Sequence, residues 1–252
     1  MIDPARLLVD PDDPRAPPQD VWDRLTTEER RRLVAALPSD VPGTMVPEGD
    51  RHRIPKRAAI EALEEYYRRI RRPIYLSAEL PVYYPGERMF APDLIAVLDV
   101  EPHERASWIV SKEGRGLDLA LEIHVAGSYE KDFVENVERF AALGVPEYFA
   151  FDASRGRLAG WKLPQARGGG YEPLMPQGGR WYSGVLDLDL AVEHGRLRFF
   201  HGSAPLLDAH ELIEQLSTMV DEAIRRTQEE SQRAEKFAAR LRELGVDPDD
   251  IS

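Results

Sequence analysis

Apolar residues recur at helical spacing in four stretches of the chain, and the stretches between them read as strands and turns. Leu25, Leu33, Val34 and Leu37 suggest a short helix from Thr27 to Leu37, with Thr26 or Thr27 as its cap and Pro38 as its end. Residues 41–55, with three Pro and two Gly, read as a loop. Pro55 then suits the first turn of a helix running to Arg72, in which Ala59, Ile60, Leu63, Tyr66, Tyr67 and Ile70 share a face. A third helix, Ser128–Leu143, carries Phe133, Val134, Val137, Phe140 and Ala141 as one stripe and stops at Gly144. The fourth, His210–Leu244, aligns Leu212, Ile213, Leu216, Met219, Val220, Ala223 and Ile224. Beyond residue 225 its stripe thins to Ala234, Phe237, Ala238 and Leu241.

Strands are predicted at 74–80, 82–84, 94–100, 107–110, 117–125, 148–151, 157–163, 184–190 and 197–200, with a Gly/Pro-rich insertion at 164–179. The run 117–125 is the informative one. Alternation puts Leu117, Leu119, Leu121, Ile123 and Val125 on one side and Asp118, Ala120, Glu122 and His124 on the other. Three polar residues on one face of an apolar strand need a reason, because a carboxylate among Leu and Ile is costly unless paired or metal-bound. The order of helices and strands predicts an α/β domain with a mixed sheet. A Pro-rich, acidic arm (1–23) precedes that domain (24–203), and a helical tail (204–252) follows it.

Composition narrows the chemistry. The 252 residues hold no Cys, which excludes disulfides, thiolate zinc sites and cysteine nucleophiles. No apolar run is long enough to span a membrane, and the N-terminus lacks the order of a signal peptide, so the expectation is a cytoplasmic protein with no membrane partner. There is no Gly-x-Ser-x-Gly elbow, no phosphate loop around Arg167–Gly170, and no paired zinc spacing among the six His. The net charge of −12 argues at first against nucleic acid. Its distribution weakens that argument: residues 1–23 carry −4, residues 203–252 carry −6, the remainder only −2, and residues 24–72 carry +4. A DNA-facing surface must then be local and weakly charged.

Pro92-Asp93 before one strand and Glu122 in the middle of the next long one place two carboxylates where adjacent strands can converge on a hard divalent ion. Mg²⁺ prefers one or two carboxylates with water and phosphate oxygens, and Mn²⁺ can substitute for it. Around these residues the sequence resembles a known family. APDLIAVLDV and LDLALEIHVAGSYEKDFVENVERFAALGVPEYFAFD, with MVPEGDRHRIPKRAAIEALEEYY upstream, are similar to the Uma-type restriction endonucleases of the PD-(D/E)XK nuclease superfamily.

The resemblance covers roughly residues 40–200. It implies a restriction-endonuclease-like core, Mg²⁺ dependence and cleavage of DNA. Asp93 takes the Pro-Asp position, Glu122 the strand carboxylate, and His52 the histidine just before the first core helix. The family's lysine, four residues after the Asp matching Asp132, is replaced by Asn136, and the superfamily's strand-lysine position holds His124. Lys131 is the nearest lysine. The expected site is therefore Asp93 and Glu122 on the metal, His124 or Lys131 at the attacking water with Asn136 nearby, and His52, Arg68 and Arg72 toward substrate phosphate. Arg68 and Arg72 equally serve to offset a helix dipole, and Glu48 and Asp118 are weaker candidates. Two rival readings use the same residues: a nuclease-fold binding or assembly module that has lost turnover, and a metal-dependent hydrolase of a small phosphate. The tail is able to pair with a second copy, so a homodimer is among the expected partners.

Overall fold

A computed structural model describes residues 9–40, 49–164 and 169–244. Glu48 and part of the Gly-rich stretch at 164–170 fall outside the described residues. Two compact units divide the chain, Met1–Leu206 and Leu207–Ser252. In the first, a six-stranded mixed sheet is built from β1 (Ile74–Ser77), β3 (Leu94–Leu98), β5 (Leu119–His124), β6 (Glu147–Asp152), β7 (Arg157–Lys162) and β8 (Glu172–Pro173), in that spatial order. Only β5 and β6 run parallel, as their helical crossover requires; the other neighbours are antiparallel. Between β1 and β5 in sequence, β2 (Val82–Tyr83) and β4 (Trp108–Ile109) form a small parallel pair. A four-stranded antiparallel sheet follows from β9 (Arg180–Ser183), β10 (Leu188–Glu193), β11 (Arg196–His201) and β12 (Ala204–Pro205).

The helices of this unit are α1 (Gln19–Arg24), α2 (Thr27–Ala36), α3 (Asp50–Ile70), the single turn α4 (Val110–Glu113) and α5 (Asn136–Ala142). The large sheet is buried on both faces, which explains why β3 and β5 read as continuous apolar runs. One face packs Leu94, Ala96, Leu119, Leu121, Ile123 and Phe149 against Leu63 and Tyr67 of α3 and Leu188, Leu190 and Phe199 of the smaller sheet. The other packs Ile95, Val97, Ala120, Tyr148 and Ala150 against Phe140 of α5, Val82 and Trp108. Gly160 lets β7 approach β6: a Cβ there would lie 2.5 Å from Phe149 Cε1.

In the described part of the acidic arm, residues 9–23, Trp22 buries with Leu25 and Leu33, Ala16 is buried, and Met89 N–H bonds Pro14 O. The second predicted helix begins at Asp50, not at Pro55, so Pro55 lies inside it. Thr26, one of the two expected caps, closes the start of α2 through reciprocal bonds with Glu29, a capping box. The predicted strand 184–190 straddles a turn, with Val185 and Leu186 in the turn and β10 starting at Leu188.

Glu147 is the reason that turn holds. Its carboxylate accepts from Ser183 Oγ at 2.5 Å, Gly184 N–H at 2.8 Å and Val185 N–H at 3.2 Å, tying the large sheet to the β9–β10 turn. Burial pushes its pKa up, and these three donors pull it back. Glu147→Ala orphans the buried Ser183 hydroxyl and two partly buried N–H groups and is expected to cost about 1–3 kcal/mol, read as a lower urea midpoint at unchanged slope. Glu147→Gln, which still accepts from the turn's N–H groups, retains most of that stability.

Among its described residues the second unit is one helix, α6 (Ala209–Glu243), opened by a capping box between Asp208 and Glu211. Its apolar positions follow a three-four spacing at Ile213, Leu216, Val220 and Ala223. Thr227 and Glu230 interrupt the spacing before it resumes at Ala234, Phe237 and Leu241. Among the described residues no helix is long and apolar enough to cross a membrane.

Candidate active site

The register of the large sheet builds the centre of the site. Leu94 faces Leu121 and Ile95 faces Ala120 across the β3–β5 pair, so the same register sets Asp93, just ahead of β3, opposite Glu122. Glu122 is met from α5, and Asp93, just ahead of β3, is met from α3. Asp93 N–H donates to Glu122 Oε2 at 3.2 Å, and Asp93 Oδ2 accepts from Ile123 N–H at 2.6 Å. Two buried carboxylates are thus held side by side by backbone donors. Burial, and then the charge of Asp93, push the pKa of Glu122 well up; the Asp93 N–H and the charge of Lys131 pull the other way.

The segment after β5 supplies the next layer. It enters its helix through a wide π-turn, Lys131–Glu135, in which Asn136 N–H bonds Lys131 O, before α5 begins. Such turns redirect side chains by inserting one residue into the helical register. Asn136 Nδ2 donates to Glu122 Oε1 at 3.2 Å, and Asp132 Oδ2 lies 2.8 Å from His124 Nδ1. Tyr148 O–H donates to Asp132 O at 2.7 Å and fixes the turn to β6. A neutral His124 that donates Nδ1–H to Asp132 keeps its lone pair on Nε2.

The N-terminal turns of α3 complete the arrangement. His52 Nε2 lies 3.0 Å from Asp93 Oδ2. His52 belongs to the first turn of the helix, not to a loop before it, and the longer helix carries it to Asp93. One turn on, the buried Lys56 places Nζ 2.5 Å from Glu79 Oε1 and 3.8 Å from Asp93 Oδ1. His52, Glu79 and Asp93 offer ligand atoms that all lie within 4.8 Å of one another.

Of the residues selected from sequence, Asp93, Glu122, Asn136 and His52 meet in one hydrogen-bonded cluster, and His124 joins through Asp132. Lys131 is exposed and acts on Glu122 through charge. Arg68 and Arg72 are not brought there. Arg68 lies roughly 24 Å along α3 from His52 and pairs with Glu65, while Arg72 pairs with Asp99 at 2.9 Å. Asp118 is structural, accepting from Leu98 N–H and Arg115.

Lys56 and Glu79 were missed. Lys56 had a readable signal: His52, Lys56, Ala59, Leu63 and Tyr67 fall on one helical stripe, so the two polar residues extend the buried face. Glu79 had none, since it follows β1 in a turn where its φ is +52°.

A mixed sheet flanked by helices, with two carboxylates facing one another at its antiparallel β3–β5 pair, defines a nuclease-like α/β protein. The chain belongs to the Uma2 family, described as "Putative restriction endonuclease", whose sequence profile matches residues 23–193. It is similar in structure to a nuclease of the DUF820 group from Anabaena variabilis, itself described as putative, at 16% identity and a TM-score of 0.39, over 61% of this chain and 89% of that one. No curated protein matches it.

Proposed function

We propose that this chain hydrolyses phosphodiester bonds in DNA with a bound Mg²⁺, for which Mn²⁺ can substitute. The observation that carries the reading is the in-register facing of Asp93 and Glu122, two buried carboxylates whose joint ionisation calls for a cation. The donor set fits such an ion, since carboxylate oxygens are hard ligands and one imidazole is tolerated. Asp93 would hold it, with Glu122 on one side and His52 and Glu79 on the other. Once bound, a divalent ion polarises a phosphodiester and lowers the pKa of an attacking water.

The chain's own groups do the rest. Asn136 fixes the orientation of Glu122. Asp132 holds His124 in the tautomer whose Nε2 can accept a proton. Lys56 sets a positive charge beside Asp93, and Lys131 adds one at the exposed edge. The test is a nicking assay on single- and double-stranded DNA with Mg²⁺ and Mn²⁺. Asp93→Ala is expected to abolish cleavage, and undiminished cleavage would sink the assignment.

One observation favours a second reading, a binding module without turnover. Asn136, in the family's lysine position, spends its amide on Glu122 and brings no charge. Melting temperatures that rise with Mg²⁺ or Mn²⁺, together with DNA binding but no cleavage of either DNA form, would select that reading.

A further inference from the structure

Beside the carboxylates lies an aromatic surface that the proposed hydrolysis does not use. Tyr129 and Phe133, four residues apart where the chain enters the π-turn, stack with ring centroids 4.0 Å apart and planes 4° from parallel. Both rings meet His124 edge-on, at 5.8 Å and 6.2 Å. Phe133 is half-buried and continues into the interior through Trp161. Tyr129 is 45% exposed and forms the outer layer of the stack.

Covering His124 requires only apolar bulk, which a Leu supplies. A parallel ring pair ending in a half-exposed ring supplies something more, a flat π-surface that solvent reaches. His124 is two residues from Glu122 on the same face of β5, about 7 Å along the strand, a span that one nucleotide bridges. The guanidinium of Arg155 lies over the Tyr129 ring, 5.8 Å from its centroid, tethered by Asp152 at 3.1 Å and largely exposed, so a base that reaches the ring meets the guanidinium as well. An aromatic face with a cation next to it is the combination that binds a base and its phosphate together. Bases within a duplex have both faces covered by their neighbours, so such a surface takes only an unpaired one.

We propose that Tyr129, stacked on Phe133, is a platform for an unpaired nucleobase of DNA, with Arg155 beside it and the adjoining phosphate directed toward Glu122 and Asp93. The inference rests on the reading of that site as one for DNA. It narrows the substrate to single-stranded or locally unpaired DNA.

The experiment measures fluorescence anisotropy of a short labelled oligonucleotide, as a mixed-sequence single strand and as its blunt duplex, with Ca²⁺ replacing Mg²⁺. The wild type is expected to bind the single strand more tightly. Tyr129→Leu, which keeps His124 covered, is expected to weaken single-strand binding about tenfold, while duplex binding changes less than about twofold. Tyr129→Trp is expected to match or exceed the wild type, and it serves as the reporter if the Leu variant melts early. Wild-type affinity in Tyr129→Leu, parallel loss of both DNA forms, or a wild type that binds only duplex or no DNA would each overturn the platform. The two proposals fail separately. Single-strand binding that depends on Tyr129 without any cleavage removes the hydrolase and leaves the platform. Cleavage lost in Asp93→Ala with binding unchanged in Tyr129→Leu does the reverse.

Discussion

Glu122→Gln is expected to abolish metal-dependent cleavage and, in the absence of divalent ions, to make the protein more stable than the wild type. The reason is the sign of the shift on Glu122. Burial and the neighbouring Asp93 raise its pKa in the folded state, so folding favours the protonated form. The stability contributed by that form is complete below the ordinary carboxylate range and is lost as pH rises through the elevated value. At neutral pH the anion therefore works against the fold, and Gln, which mimics the neutral acid, removes the penalty. Asn136 can turn its amide to accept from the new Gln, so the hydrogen bond survives the exchange.

A gain of about 1–2 kcal/mol is expected, the scale on which relieving a functional site stabilises a protein, or roughly 2–8 °C in a domain of this size. Mg²⁺ at a hundredfold excess over its Kd should raise the wild type by about 2.7 kcal/mol and the variant by far less. Melting curves at acidic and neutral pH, with and without Mg²⁺, read all of this. A metal-free Glu122→Gln protein that melts below the wild type would mean that the ionised carboxylate is a structural acceptor and not a group awaiting a cation.

How much of this arrangement the sequence discloses depends on how local the cause is. Alternation along 117–125 separates Glu122 and His124 from Leu121 and Ile123, and β5 keeps that separation. The facing of Asp93 and Glu122 follows from two strands pairing in one register, and Pro92-Asp93 marks where β3 begins. The bond from Asn136 to Glu122 is not readable, because it depends on the π-turn at Lys131–Glu135, and helical periodicity gives no sign of one extra residue in a turn. Nor is the start of α3. Pro55 is favoured at a first helical position, yet here it sits inside a helix that opens at Asp50, and the five residues gained carry His52 to Asp93. The run Val185–Leu190 misled for a different reason. Val185 and Leu186 belong to a turn clamped on Glu147, and apolar character alone does not distinguish such a turn from the strand that starts at Leu188.

Lys56 is where these lines meet, and its removal is expected to have the largest effect on rate after loss of the carboxylates. The family's lysine is Asn136 here and the strand-lysine position is His124, neither of which carries a fixed positive charge. Lys56 does, from the opposite helix, with only 6% of its side chain exposed and Nζ 3.8 Å from Asp93 Oδ1. A buried ammonium is expensive to keep even when it is paired, as Lys56 is with Glu79. A Met of similar length on the same apolar stripe would pack at least as well. Retention of the charge is explained if it acts on the phosphate: an ammonium beside the metal carboxylate stabilises negative charge that develops as the water attacks. Lys56→Met should then lower kcat about 10²–10³-fold, the loss typical of one charge-stabilising donor, with KM for DNA changed only a few-fold and metal-induced stabilisation intact. Lys56→Arg, which keeps the charge but spreads it over a planar fork, should recover part of the rate. If Lys56 only anchors α3 to the turn holding Glu79, Lys56→Met would instead melt at a different temperature and retain wild-type kcat.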